Sequence, residues 1–265
     1  MPVRSRLSFG SPLPALEFLT TLRFRAVPVR SAAELAGSLW AFPIVGLLIG
    51  LALFGVERGG RELAPDIAVA AVLVAVWIGL TGGLHLDGLA DTADGLFGGR
   101  DREQRLSIMH DVQSGSWAVI ALLILLLLKF ALIISLPEEG RFGALLIAPI
   151  AARGILVGTM GLTPYARPEG YGKELHARAG GAPTLVTGLL VLATAGLLFN
   201  VEGMVLVPWA IAVAAALATY ARRQLGGLTG DVDGALIELL EVSVLLAAVV
   251  GLEQDWIQPL LWDGI

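Results

Sequence analysis

Three aspartates with the spacing of a helical face follow a strongly apolar stretch. The segment GGLHLDGLADTADGLFGG, residues 82–99, contains Asp87, Asp91 and Asp94, which are four and three residues apart. On a helix this spacing brings the carboxylates onto one face, where they repel one another unless a cation neutralises them. The segment contains no lysine or arginine. Because Mg²⁺ binds to one or two carboxylates and keeps phosphate oxygens, the pattern predicts a Mg²⁺ site formed by Asp87, Asp91 and Asp94.

A second acidic segment, RRQLGGLTGDVDGALIELLE, covers residues 222–241. Its glycine-rich loop carries Asp231 and Asp233 into an apolar stretch, and for Asp233 helix capping is an alternative to a functional role. Glu238 and Glu241 lie one turn apart inside the apolar stretch. Carboxylates inside a membrane are costly and indicate a function by default. A structural salt bridge with one of the two basic residues inside apolar stretches is the alternative; these are Lys129 and Arg153.

Two further loops carry polar residues suited to a ligand. RLSIMHDVQSGSWAVI, residues 105–120, contains Asp111, which suits either ligand binding or helix capping. TPYARPEGYGKELHARAGG, residues 163–181, contains Tyr165 as a stacking surface, together with cations that suit an anionic, nucleotide-like substrate. The same cations also suit a role as determinants of membrane orientation. A Walker-type phosphate-binding loop is absent from the sequence, which argues against nucleoside triphosphate hydrolysis.

The composition predicts a membrane protein that positions these residues on helices. Of the 265 residues 56% are hydrophobic and only 15% charged, against roughly 25% charged in soluble domains. There is no cysteine, so disulfides and thiolate metal ligands are excluded. We expect one integral-membrane catalytic domain, residues 1–265, with an all-α fold and about seven spans. The predicted spans are 36–56, 66–83, 116–136, 142–162, 183–200, 203–221 and 235–252.

The basic residues predict the orientation of this bundle. Thirteen lysines and arginines flank one set of span ends, whereas only Arg58, Arg61 and Arg141 flank the other. By the positive-inside rule the first set is cytoplasmic, so we expect the N-terminus and the aspartates at the cytoplasmic face of the inner membrane. No signal peptide is recognised. The thirteen are Arg4, Arg6, Arg23, Arg25, Arg30, Arg100, Arg102, Arg105, Arg167, Lys173, Arg178, Arg222 and Arg223.

The motifs resemble those of the cobalamin synthase family, the adenosylcobinamide-GDP ribazoletransferases. TGGLHLDGLADTADGL and LGGLTGDVDGALIELLE are similar to its two hallmark segments, and FLTTLRF, FPIVGLLIG, IMHDVQSGSW and APIAARG match in the same order. The resemblance extends from about residue 18 to 250. Two positions depart from the family pattern, because Thr21 and Gln113 stand where the family usually has arginine.

The resemblance implies a phosphoryl transfer that joins adenosylcobinamide-GDP to α-ribazole or its 5′-phosphate and releases GMP. Asp87 and Asp91 would hold Mg²⁺ on the pyrophosphate, and Asp94 would complete the metal shell or accept a proton. Asp231 and Glu238 would orient the nucleophile or bind a second metal. The remaining assignments are to substrate binding: Arg153, Arg222, Arg223, Asp111 and Tyr165. We expect no nucleic-acid partner, and a homo-oligomer is possible.

Three alternatives stay open at this stage. A CDP-alcohol phosphotransferase shares the opening Asp-Gly-x-x-Ala of the first motif but carries arginine where this chain has Asp91. A membrane prenyltransferase would need a second aspartate-rich motif, which residues 231–241 match only loosely. A transporter would use Glu238, Glu241 and their basic partners as an ion pathway, which leaves the aspartates without a role.

Overall fold

The computed structural model describes residues 10–24 and 31–260, and over these residues the chain is helical. Within those ranges there is no β-strand, and one isolated bridge pairs Tyr165 with Leu228. This confirms the predicted all-α class. The orientation argument also used residues outside the described ranges, namely Arg4, Arg6, Arg25 and Arg30.

Twelve α-helices make up the described fold. Six of them, some with a short 3-10 turn in front, are long and apolar enough to span a membrane, and the count is seven if the bent pair α4–α5 forms one span. The prediction of about seven spans is therefore confirmed. The helices are α1 Leu13–Leu19, α2 Ala32–Gly37, α3 Phe42–Arg61, α4 Asp66–Thr81, α5 Leu84–Gly98, α6 Arg102–Ile108, α7 Ser116–Ser135, α8 Glu138–Leu162, α9 Tyr171–Ala179, α10 Ala182–Phe199, α11 Leu206–Leu225 and α12 Gly230–Glu253.

The centre of the bundle is formed by α8 and α12, which are the most buried of the spans. α8 packs against α3, α10 and α12, and α12 also packs against α5. The close contact between α3 and α8 depends on Gly46 and Gly50, because a Cβ atom at either position would overlap the α8 backbone near Pro149 or Leu146. Close backbone approach at small residues is a common way for membrane helices to associate.

A 90° bend separates α4 from α5, which carries the three aspartates. Gly82 and Gly83 form the bend with φ angles of 65° and 70°, a left-handed conformation that glycine adopts without steric cost. The amide of Gly83 still bonds to the carbonyl of Ile78, 3.2 Å away, so the turn also caps α4. As a result α5 crosses the end of α4 instead of extending it.

The polar loops meet at the end of the bundle where α5 lies. The N-terminal segment joins this end through the amide of Thr21, 2.8 Å from the carbonyl of Leu80. Arg102 ties two other loops together, donating to the carbonyls of Leu225 and Ala166 at 2.7 and 2.8 Å. The aspartates therefore lie where several loops converge.

Candidate active site

Two glycines let α5 and α12 approach closely at the aspartates. A Cβ atom on Gly88 would be 2.7 Å from the carbonyl oxygen of Asp231, and one on Gly234 would be 3.3 Å from the Cα atom of His85. This contact brings the two acidic segments together, and the charges of Asp87 and Asp231 both act on Asp91. The two segments are more than 120 residues apart in the sequence, so their meeting is a property of the fold.

Asp87 and Asp91 are the uncompensated carboxylates of this site. Asp87 is exposed and Asp91 is half-buried. Within the described residues neither side chain has a hydrogen-bond or ion-pair partner. Two neighbouring carboxylates in this state favour a bound cation, since each raises the cost of ionising the other.

Asp87 and Asp91 are a donor set that fits Mg²⁺, and a third ligand at Asp94 stays a prediction. Across residues 10–24 and 31–260, no three His, Asp or Glu side chains lie close enough to form a metal site by themselves. Mg²⁺ does not require such a cluster, because it is usually held by one or two carboxylates and completes its octahedron with water and phosphate oxygens. Asp87 and Asp91, one helical turn apart and unpaired, provide that pair.

Asp94 has a different environment from the other two aspartates. Its carboxylate is buried, and its oxygens accept hydrogen bonds from the amides of Gly115 and of Ala118, the latter at 2.9 Å. These amides belong to the N-terminus of α7, which has no side-chain cap of its own. Asp94 thus caps α7 from a neighbouring helix, a position that also suits the helix dipole.

Glu238 and Arg153, assigned to catalysis and substrate binding from the sequence, lie in a buried ionic network. Lys129 Nζ is 2.7 Å from Glu238 Oε2 and 2.8 Å from Glu241 Oε2, and Arg153 Nη1 is 2.6 Å from Glu241 Oε1. Trp77 donates to Glu241 at 3.2 Å. The geometry is that of the salt-bridge alternative, and neither Glu238 nor Arg153 borders the cavities at the aspartates.

The other predicted substrate-binding residues are distributed around the site. Arg222 and Arg223 are exposed at the end of α11, and neither borders the cavities at the aspartates. Asp111 is also exposed; it accepts a hydrogen bond from the amide of Gln113 at 3.1 Å and borders a shallow cavity together with Arg167. Tyr165 is the one member of the set that borders a cavity containing Asp87.

Two cavities meet at Asp87. One, which we call the tyrosine cavity, has a volume of about 730 Å³, and the other, the N-terminal cavity, about 760 Å³. Both are bordered by Phe18, Leu84, Asp87 and Tyr171. The tyrosine cavity extends to Tyr165, Arg167, Asp231 and Asp233, and the N-terminal cavity to Glu17, Thr20, Thr21 and Arg23. A pair of adjoining cavities with a carboxylate between them can accommodate two reactants.

Arg167 is the cation that the fold brings to the carboxylates. Its Nη2 atom lies 2.9 Å from Asp231 Oδ2, and Thr229 also contacts that oxygen at 3.3 Å. The loop before α9 is held beside the loop before α12 by two backbone bonds, from Ala166 to Leu228 at 2.7 Å and from Leu228 to Pro164 at 2.9 Å. Sequence reasoning counted Arg167 only among the cations of 163–181, because its partner is 64 residues away.

Behind Asp231, a histidine and an aspartate form a buried pair. His176 Nε2 is 3.0 Å from Asp233 Oδ2, and Nδ1 is 3.1 Å from the carbonyl oxygen of Thr163. Burial lowers the pKa of His176, but the hydrogen bond and charge of Asp233 outweigh burial and raise it above the usual value. Partial burial also raises the pKa of Tyr165, against the opposing charge of Arg167.

His85 is a further buried residue on the border of the tyrosine cavity. It is 3% exposed, and in the described structure neither ring nitrogen has a hydrogen-bond partner. His85 is not among the metal ligands predicted from the sequence, and that prediction stays untested. Two residues apart on a helix, His85 and Asp87 are expected on different faces, so the sequence does not predict that both border the same cavity.

Comparison with known proteins yields one family. A family model described as cobalamin-5-phosphate synthase matches residues 11–249. The adenosylcobinamide-GDP ribazoletransferase of Pseudomonas fluorescens is 44% identical over 246 residues, covering 89% of this chain and 97% of that protein. The proteins of the same name from Pseudomonas putida and Pseudomonas paraeruginosa are 42% and 41% identical, each covering 91% of this chain and 98% of the relative. No solved structure matches the chain. These matches confirm the family resemblance of the sequence motifs.

Proposed function

The chain belongs to the cobalamin-5-phosphate synthase family, and we propose on that premise that it joins adenosylcobinamide-GDP to α-ribazole or its 5′-phosphate. The observation that carries the proposal is the pair Asp87 and Asp91, unpartnered among the described residues. Asp87 borders both cavities, and the Arg167–Asp231 pair lies beside the tyrosine cavity. The arrangement supports a reaction in which two substrates meet at a phosphate.

The chemistry is an alcohol attack on phosphorus. A ribose hydroxyl oxygen of α-ribazole forms a bond to the phosphorus that carries the corrinoid, and the bond from that phosphorus to the GMP oxygen breaks. GMP leaves with the bonding electrons, and the product is a phosphodiester. Such a transfer asks the protein mainly to position the reactants and to neutralise charge on the phosphoryl oxygens.

Asp87 and Asp91 are proposed to hold Mg²⁺, which would neutralise the pyrophosphate when bound. Arg167 is a cation whose charge acts on Asp91, and its pairing with Asp231 keeps the guanidinium at the cavity border. Asp231 is proposed to orient Arg167 through Oδ2, which Thr229 also contacts. Asp94 is left out of the metal set because α7 occupies both of its oxygens.

The two cavities are proposed to divide the substrates between them. Tyr165, Phe18 and Phe42 border the tyrosine cavity, and their rings suit the flat aromatic base of α-ribazole. The N-terminal cavity, with its threonine hydroxyls and Arg23, suits the nucleotide end of the corrinoid substrate. The shared border at Asp87 would then be the position of the reacting phosphate.

The protein is a multi-pass membrane protein, and we propose that the site faces the cytoplasm from the inner membrane. The support is the excess of basic residues at the end of the bundle that carries the site. A homo-oligomer and the absence of a nucleic-acid partner stay predictions.

The test is release of GMP from adenosylcobinamide-GDP by the purified full chain in detergent. We expect release that needs α-ribazole, stops in EDTA and returns with excess Mg²⁺, together with formation of the corrinoid product. The double variant Asp87→Asn/Asp91→Asn should lose the Mg²⁺ response, whereas Asp101→Asn, an exposed cap of α6, should keep it.

Two other outcomes would redirect the interpretation. Turnover of a CDP-alcohol in place of adenosylcobinamide-GDP would support the alcohol phosphotransferase alternative. Inactivity of folded protein with every divalent metal, combined with substrate flux in sealed vesicles, would support a transporter. The buried network argues against transport, because its two anions are already paired with Lys129 and Arg153.

A further inference from the structure

The His176–Asp233 pair holds two protons, one on Nδ1 of His176 and one between Nε2 and the carboxylate of Asp233. The Thr163 carbonyl can only accept a hydrogen bond, so the Nδ1 atom of His176 carries a proton. The Nε2 atom faces a carboxylate oxygen at 3.0 Å. A short contact between two bare acceptors is repulsive, so a second proton lies between Nε2 and Oδ2. The pair is therefore either imidazolium and carboxylate or neutral histidine and carboxylic acid, and only the first form can accept a further proton at Asp233.

The second oxygen of Asp233 has no such partner. Oδ1 is buried, and the described residues provide it with no hydrogen bond. An unpaired buried carboxylate oxygen is costly, and native structures retain one mainly where a ligand or water completes the bond. Asp233 borders the tyrosine cavity, and Oδ2 is directed to His176. A hydroxyl group in the cavity would supply the missing partner of Oδ1.

The other carboxylates near the cavity differ from Asp233 in their surroundings. Asp94 is bonded to α7 through both oxygens, and Asp231 is paired with Arg167. Glu238 is bonded to Lys129 away from the cavity. In the proposed function Asp87 and Asp91 hold the metal. The carboxylates that border the tyrosine cavity also include Asp231 and the exposed Glu169, but Asp233 is the one with a buried oxygen that has no partner in the described structure.

We propose that Asp233 is the catalytic residue that accepts the proton of the attacking hydroxyl, with His176 as its positioning residue. The inference rests on the proposed function. As the oxygen–phosphorus bond forms, the hydroxyl proton passes to Oδ1 and the bond to GMP breaks with its electrons on GMP. The proton then leaves Asp233 for the GMP phosphate or for water. His176 keeps Oδ2 occupied, so Oδ1 is the oxygen left to accept the proton.

The sequence interpretation of Asp233 as a helix cap does not match this geometry. The cap of α12 is Thr229, whose hydroxyl accepts the amide of Val232 at 3.3 Å. Asp233 lies one turn further along and contacts α9 through His176 instead of its own helix. Asp233 is therefore placed by its pairing with His176 and by its position on the border of the tyrosine cavity.

The experiment compares Asp233→Asn with wild type in the GMP-release assay. The asparagine retains the shape of the side chain, and its amide can donate to a neutral His176, so the fold should persist. We expect kcat to fall about 10²–10⁴-fold, as for loss of a general base, while both KM values and the half-saturating Mg²⁺ concentration change by less than about threefold. His176→Asn should lower kcat less, and the double variant should match Asp233→Asn because the two residues act as a unit.

Thermal unfolding of each variant in detergent is measured alongside, with Asp101→Asn as the surface control. A kcat of Asp233→Asn within about threefold of wild type would overturn the inference and leave the proposed function standing. Parallel losses of kcat, substrate affinity and thermal stability would assign the His176–Asp233 pair a structural role and would also overturn the inference. Absence of GMP release by stable wild-type protein would overturn the proposed function and this inference with it.

Discussion

Asp94 and Asp91 are neighbours on one helix face, but their carboxylates have different surroundings. Asp91 has a half-exposed side chain without a hydrogen-bond partner in the described chain, whereas Asp94 is buried and bonded to two amides of α7. Spacing alone cannot distinguish these cases, because the partners of Asp94 lie 21 and 24 residues away. One residue of the motif therefore holds helices together, and its neighbours remain available to a ligand.

A pair of asparagine variants should separate these two roles. Asp94→Asn replaces an acceptor oxygen with a donor that faces an amide, so we expect a loss of about 1–2 kcal/mol of stability and an unchanged Mg²⁺ requirement. Asp91→Asn removes a repulsive charge, so stability should stay equal or rise while the half-saturating Mg²⁺ concentration increases at least about tenfold. Thermal unfolding and Mg²⁺ titration of GMP release measure the two effects.

The opposite result would restore the three-aspartate metal site. If Asp94→Asn unfolds at the wild-type temperature and needs more Mg²⁺, Asp94 is a ligand and α7 does not depend on its cap. Each variant is the control for the other, because both substitutions remove one negative charge from the same helix.

The buried charges illustrate how far residue-level prediction extends. Sequence reasoning identified Glu238 and Glu241 as carboxylates inside the membrane and Lys129 and Arg153 as their available partners, and the structure pairs them. The family resemblance implies the catalytic role of Glu238 and the phosphate contact of Arg153. Motif similarity does not show that Glu238 is paired with Lys129 and Arg153 with Glu241. The sequence shows that a charged residue in hydrocarbon needs a partner, but which side chains meet as partners depends on how the helices pack.

At the scale of elements, the bend between α4 and α5 and the contact between α5 and α12 create the site. The sequence predicts a short second span at 66–83. The structure has α4 there, which is long enough to count as a span only together with α5, and the sequence offers no direction for α5. Two adjacent glycines permit many turns, and the chosen one is stabilised by contacts with the distant N-terminal segment, such as Thr21 with Leu80. Bend direction is thus a tertiary property.

Gly88 provides a test of the helix contact. In Gly88→Ala the new methyl group would lie 2.7 Å from the carbonyl oxygen of Asp231, so α5 and α12 must separate. We expect a loss of about 1–3 kcal/mol of stability from overpacking and a drop in kcat of about 10²-fold, because misplacement by about 1 Å has effects of that size. Thermal unfolding and GMP release are again the measurements.

Gly79→Ala is the matched control, since Gly79 lies in α4 with no heavy atom within 4 Å of a new Cβ. It should keep full activity and gain up to about 1 kcal/mol, because alanine favours helix over glycine. Equal behaviour of the two variants would mean that α5 can shift along α12 without consequence for the carboxylates.

At the scale of the whole molecule, the two ends of the bundle differ in charge. The opposite end carries Arg58, Arg61 and Arg141, and there Arg61 is neutralised by Glu138 at 3.0 Å. Composition and the length of the apolar stretches are enough to predict the all-α class and the spans. In hydrocarbon a single segment must satisfy its own backbone hydrogen bonds, and an α-helix does so. The gathering of the loops around α5 could not be predicted, since it depends on contacts between distant segments such as Arg102 and Leu225.

The orientation in the membrane can be tested because the chain has no cysteine. Glu103→Cys in α6 places a single thiol at the end that carries the site, and Glu62→Cys after α3 places one at the opposite end; both glutamates are exposed. We expect a membrane-impermeant maleimide to label Glu62→Cys in intact bacterial cells and Glu103→Cys only after permeabilisation. Both variants should retain GMP release, which would show that the labelled protein is folded. The reverse labelling pattern would put the carboxylates outside the cytoplasm and would require the nucleotide substrate to reach them there.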